Sequence, residues 1–204
     1  MSVETAAEPE RRFIPTYRYR GTWIETLISS LLGLVASFVL SMDAIILAQD
    51  GDAELSCNIN EKISCGAVGV SWQAELLGFP NAFLGLIAEP VIITIAVASI
   101  AGVLFPRWFM LGAQVVSSIG FVFALWLFHQ SYFEIGRLCP YCLLITGTTT
   151  LIFFAFTRVN VLEGNFGTGI RDRFGTAFRV YHADIITAVL LIAVIAAMVV
   201  FRYL

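Results

Sequence analysis

Residues 138–156 read LCPYCLLITGTTTLIFFAF. The stretch opens on a tight cysteine pair, Cys139-Pro140-Tyr141-Cys142, and then runs without a charge to Phe156. As a helix, about 20 such residues cross the roughly 30 Å of hydrocarbon in a bilayer. Proline suits the first turn of a helix, where its missing N–H is not needed. The stretch therefore reads as a transmembrane helix with two thiols at its N-terminal end.

Four further apolar runs read the same way: residues 24–48, 81–103, 108–128 and 185–201. The chain of 204 residues is 58% hydrophobic and only 13% charged, with a mean hydropathy of +0.85. A soluble domain carries about a quarter charged residues, and a water-facing surface this apolar would aggregate. Within the five spans the only acids are Glu25, Asp43 and Glu89. The first span is too long for a cleavable signal peptide and no small-residue cleavage site follows it, so it reads as a retained helix.

Lys and Arg are held on the cytoplasmic side of membrane proteins. Arg11, Arg12, Arg18, Arg20, Arg107, Arg158, Arg171, Arg173 and Arg179 fall on one side, against Lys62, Arg137 and Arg202 on the other. The asymmetry puts the N-terminus inside and the C-terminus outside, in a multi-pass protein of the cell's inner (cytoplasmic) membrane. Residues 1–20 read as a cytoplasmic tail and residues 21–158 as the main membrane domain. Residues 49–80 form its long outer loop, with an interfacial helix anchored by Trp72 and Phe79. Residues 159–184 read as a cytoplasmic connector, amphipathic or irregular, and residues 185–204 as the last helix.

All four cysteines, Cys57, Cys65, Cys139 and Cys142, then lie on the outer side. The topology came from Lys and Arg alone, so this clustering is independent of it. A helix N-terminus favours thiolate through its free N–H groups and dipole, and the thiolate is the reacting species in disulfide exchange. Zinc is one alternative, but Cys57 and Cys65 are eight apart, wider than the usual two-to-four spacing. Two structural disulfides are another, although one across Cys139 and Cys142 would brace very little loop. Reversible redox chemistry is the expected reading, with no metal.

The residues resemble the vitamin K epoxide reductase family in its bacterial form, over roughly residues 20–158. The matching pieces are Cys57-x7-Cys65, then Ser71-Trp72, then Phe79-Pro80-Asn81-x3-Gly85, and finally Cys139-Pro140-Tyr141-Cys142. The resemblance implies an all-α membrane protein, a four-helix transmembrane bundle around a quinone, here with a fifth transmembrane helix. It implies that Cys142 reacts with the quinone and that Cys139 is its disulfide partner. It also implies that Cys65 bridges to Cys139 and that Cys57 exchanges with an outside protein. Ser71 and Asn81 match polar positions near the quinone.

Two departures stand out. Thr146 occupies a position held by tyrosine in animal members, and the chain stops at Leu204 where many bacterial members continue into a thioredoxin-like domain. The expected partner is therefore a separate DsbA-like thioredoxin-fold protein, and the expected acceptor a quinone of the menaquinone or ubiquinone type. The four-helix disulfide-generating protein of enteric bacteria has its C-x-x-C early and its wide pair late, the reverse of this order.

The expected activity is that of a quinone-dependent thiol-disulfide oxidoreductase supporting disulfide formation. A membrane adaptor or transporter subunit with structural disulfides is the alternative from another class. Glu89 is open between a functional acid and a protonated bystander. Headgroup solvation is expected for Asp43, and a plain interfacial place for His129.

Overall fold

The computed structural model describes residues 19–51, 53, 55 and 57–203. Most of the tail expected over residues 1–20 lies outside them, with Arg11, Arg12 and Arg18. The described chain is helical: α1 Arg20–Gln49, α2 Cys65–Gly69, α3 Ala82–Ile100, α4 Arg107–His129, α5 Pro140–Glu163, α6 Thr168–Val180 and α7 Ala183–Tyr203. A 3-10 turn covers Trp72–Glu75, and a π-helical segment, Gln130–Ile135, continues α4. No strand occurs among the described residues; two segments meet in one isolated bridge, Ile63 with Leu138. Among the described residues five helices are long and apolar enough to cross a membrane, and the chain is a multi-pass, all-α membrane protein.

The helices are apolar on the outside and small or polar within. On α1 the buried face is Thr26, Ser29, Ser30, Gly33, Ala36, Ser37 and Ser41. Ile28, Leu31, Leu32, Val35, Phe38 and Met42 point outward and are exposed. Lipid gives no hydrophobic push between helices, so close approach over small side chains takes its place. α1 packs on α3 and α5, α4 packs on α5, and α7 rests against α5 outside the group of four.

At the end away from the cysteines, Trp23, Ile95, Ala96, Met110, Ile152, Phe156 and Val159 form one buried cluster. Trp23 meets Phe156 edge-on at 5.7 Å. The Asn160 amide donates to Met110 O and Gln114 Oε1, both at 3.2 Å, which ties α5 to α4. α5 runs seven residues past Phe156 to a left-handed Gly164. Its polar extension is tolerated because Arg158 Nη1 donates to both carboxylate oxygens of Asp184 at 2.9 Å, joining α5 to α7. In residues 159–184, α6 is a 13-residue helix.

Candidate redox site and apolar cavity

The outer loop is built around two asparagines. Asn60 Oδ1 accepts from the N–H groups of Lys62 at 2.9 Å and Ile63 at 2.8 Å, turning the chain back. Asn58 Oδ1 accepts from Ser64 Oγ at 2.9 Å and from the Gly66 N–H at 3.0 Å. Ser64 caps α2, its hydroxyl oxygen accepting from the Ala67 N–H at 3.2 Å. These short-range bonds fix the segment between Cys57 and Cys65 without a hydrophobic core of its own.

The loop is pinned to the C-x-x-C by backbone. Ser64 N–H donates to Leu138 O at 2.9 Å, and Leu138 N–H donates to Lys62 O at 3.0 Å. This parallel pairing of Ile63 with Leu138 brings the start of α2, with Cys65, against the start of α5, with Cys139. Cys139 Sγ lies 3.4 Å from Cys65 Sγ. Cys65 is disulfide-bonded to Cys57, while Cys139 and Cys142 are free thiols. Leu55, Cys57, Cys65 and Cys139 are buried together against Leu40, Leu47, Val68 and Tyr141.

Cys139 is the N-cap of α5, and its sulfur accepts from the Cys142 N–H at 3.3 Å. The Cys142 side chain, followed by the N–H groups of Cys142 and Tyr141, holds the Cys139 thiol below its ordinary pKa, against the opposing effect of burial. Stabilised thiolate at a helix N-terminus is the usual basis of thiol reactivity.

Beneath the cysteines a cavity of about 630 Å³ opens between α1, α3, α4 and α5. Cys65, Cys139, Cys142, Ser71 and Asn81 all line it. Cys57 does not; it sits behind Cys65, and Asp43 Oδ2 lies 3.5 Å from its sulfur. Ser71 Oγ donates to Val68 O at 2.6 Å. Asn81 Nδ2 donates to Gln73 O at 2.6 Å, and Asn81 Oδ1 is buried without a partner among the described residues. Thr146 also lines the cavity, its hydroxyl turned back onto Cys142 O at 2.9 Å.

Asp43 is 8% exposed and packed at the loop disulfide, instead of solvated among headgroups. Ligand atoms of Asp43, Cys57 and Cys65 lie within 4.8 Å of one another, but with the two sulfurs joined there are no thiolates to hold a cation. Gln73, buried under Ser71 and Asn81, was not legible as a site residue, because its place depends on the fold of the loop. His129 is not among the cavity-lining residues; its ring lies tilted against Phe133, centroids 4.7 Å apart. Trp72 is exposed and edge-on to Trp126.

Two cysteine pairs in sulfur-to-sulfur contact, at the head of an apolar cavity in a helical bundle, are the equipment of a membrane thiol oxidoreductase. A model of the vitamin K epoxide reductase family matches residues 24–157, a span that holds all four cysteines, Ser71 and Asn81. The chain belongs to that family, whose members are membrane thiol oxidoreductases that use quinones. No curated protein matches the chain.

The cavity fits a quinone. Its volume falls within the roughly 300–1,000 Å³ of small-molecule sites, which combine apolar walls with a few polar hooks. Asn81 is a polar group of that kind on the cavity wall. Its unpartnered oxygen can accept from a quinol hydroxyl, and its second amide N–H can donate to a quinone carbonyl.

Proposed function

We propose that this protein reoxidises a separate DsbA-like thioredoxin-fold protein and hands the electrons to a menaquinone- or ubiquinone-type acceptor, supporting disulfide formation. The observation that carries the reading is the 3.4 Å approach of Cys139 Sγ to Cys65 Sγ across the loop–helix bridge.

The sequence of exchanges starts from two disulfides. A partner thiolate attacks Cys57 of the Cys57–Cys65 bond, and the partner leaves oxidised with the loop pair reduced. Cys65 thiolate attacks Cys139 of the Cys139–Cys142 bond, which releases Cys142 as thiolate. Cys57 then attacks Cys65, closing the loop disulfide and freeing Cys139. That stage, with Cys57–Cys65 joined and Cys139 and Cys142 open, matches the arrangement described above. Cys142 passes the electron pair to the quinone, Cys139 closes on Cys142, and the quinone leaves as quinol. Ser71 and Asn81 hold the ring.

The proposed orientation has the N-terminus in the cytoplasm of a cell with an inner membrane, and the cysteines and C-terminus outside. Arg20, Arg107 and Arg158 lie at the helix ends opposite the cysteines, which supports it. An oxidising outer face needs an electron sink, and the quinone pool is one.

The test is quinone reduction by the purified protein in detergent, driven by a reduced thioredoxin-fold protein. Wild type is compared with Cys65→Ala and Cys142→Ala. Loss of turnover in both variants is expected. A wild type that reduces no quinone, with cysteines inert to thiols, would instead fit structural disulfides in an adaptor or transporter subunit.

A further inference from the structure

Quinone reduction needs protons as well as electrons, and the cavity holds an acid that the relay does not use. Glu89 lies on α3, a little over two turns deeper than Asn81: eight residues, or about 12 Å along the helix axis. In a hydrocarbon layer of roughly 30 Å that is close to the middle. The residue is 5% exposed and lines the same cavity as Cys139 and Cys142. Its Oε2 is buried with no hydrogen-bond partner among the described residues. Arg158 and Asp184, ion-paired at 2.9 Å, lie on other helices.

The face of α1 packed against α3 is shaped for this carboxyl. A Cβ on Gly33 of α1 would lie 2.5 Å from Glu89 Oε1 and 3.3 Å from Thr148 Oγ1, so only glycine leaves the carboxyl its place. One turn nearer the cysteines, Ser37 fills the matching space against Gly85. An uncompensated carboxylate is costly in hydrocarbon, so the group rests here as –COOH, with a proton to give. A buried acid retained in a bundle against that cost, facing a cavity, is a functional group by default.

We propose that Glu89 delivers one of the two protons that the quinone takes up, at the ring oxygen on the membrane-buried side of the cavity. The inference rests on the thiol–quinone reading above. Two electrons leave the Cys139 and Cys142 sulfurs as their disulfide forms, and the two protons that entered with the donor's thiols must reach the two quinol oxygens. Glu89 gives its proton to one oxygen and takes back one of the pair released at the thiols. The acid is therefore –COOH at the start and end of each turnover. The hydroxyls of Thr146, one turn below Cys142, and of Ser37, one turn above Gly33, line the intervening space. The other titratable groups on the cavity wall are Asp43, Cys139 and Cys142, with Cys65 held in its disulfide.

The experiment uses the full chain in detergent with a reduced thioredoxin-fold donor and a short-chain naphthoquinone, comparing wild type, Glu89→Gln and Glu89→Asp. Two steps are followed separately: anaerobic exchange between donor and Cys57–Cys65 without quinone, and quinone reduction. Glu89→Gln should exchange like wild type, bind quinone with little change in KM, and lose about 100-fold in kcat, the lower end of general acid catalysis. Glu89→Asp should recover part of the loss. In wild type, the carboxylic C=O band in the infrared should shift between the quinone- and quinol-loaded protein, and Glu89→Asp should move it; this readout survives if the Gln variant fails to fold. Wild-type kcat in Glu89→Gln, or a wild-type band that stays still, overturns the proton role and leaves the thiol relay standing. A wild type that exchanges thiols yet reduces no quinone overturns both.

Discussion

At the end of the bundle away from the cysteines, Trp23, Met110, Phe156 and Val159 interlock, and Asn160 and Arg158 are each tied to a neighbouring helix. At the cysteine end the same four helices splay around a cavity of about 630 Å³, closed by a loop held by asparagine side chains and one backbone bridge. The first end shows what fixes helices when lipid supplies no hydrophobic force: packing, and hydrogen bonds across the interface. The second shows what is relinquished to make room for a ligand. Asn81 Oδ1 and Glu89 Oε2, without hydrogen-bond partners among the described residues, both line that cavity, so unmet hydrogen bonding and the redox cysteines share one space.

The contrast can be broken by substitutions that should affect one half and not the other. Cys142→Ala should reduce quinone turnover by at least about a thousandfold, as loss of a reacting group does. The first exchange with the donor should survive, as should the thermal midpoint. If the thermal midpoint falls with the activity, the two ends are not separable. Asp184→Ala, at the other end, strands Arg158 and should cost about 3 kcal/mol of stability, in the way that halving a buried ion pair does. Its quinone turnover at low temperature should match wild type.

Asn58→Ala sharpens the comparison inside the cysteine half. Two donors, Ser64 Oγ and Gly66 N–H, lose their acceptor, at about 1–2 kcal/mol for such groups. Loop exchange should slow by about tenfold, with quinone KM unchanged, measured by stopped-flow mixing with the donor.

The smallest effect concerns pH. The Cys139 thiol sits below its ordinary pKa chiefly through Cys142. Its thiolate therefore persists below the usual thiol range and is lost only as pH falls through the lowered value. Cys142→Ala removes the main cause, so the alkylation profile of Cys139, read residue by residue by mass spectrometry, should move to higher pH. An unmoved profile would assign the effect to the helix N-terminus alone.

The spans and the two cysteine pairs were legible because they are properties of single segments: length, absence of charge, and the spacing of Cys139 and Cys142. Burial of Asp43 beside Cys57 was not, because it depends on how the loop folds back over α1. The end of α5 was hidden because Arg158 and Asn160 look like the edge of a membrane span until their partners, Asp184 and Gln114, are known. The fit of Gly33 to Glu89 is likewise a relation between two helices, and neither helix carries it alone. The same holds for the pairing of Ile63 with Leu138, which is made by main-chain groups that every residue has.

That pairing also bears on how the protein would discriminate among thiols. Two sulfurs held in contact by main-chain hydrogen bonds react as neighbours, and well-oriented groups of this kind reach effective molarities of about 10⁵ M or more. No free thiol in solution approaches such a concentration. A small-molecule reductant reaching the same bond would therefore compete poorly with Cys65 for Cys139, and electrons would follow the protein's own path without any gate to exclude the others.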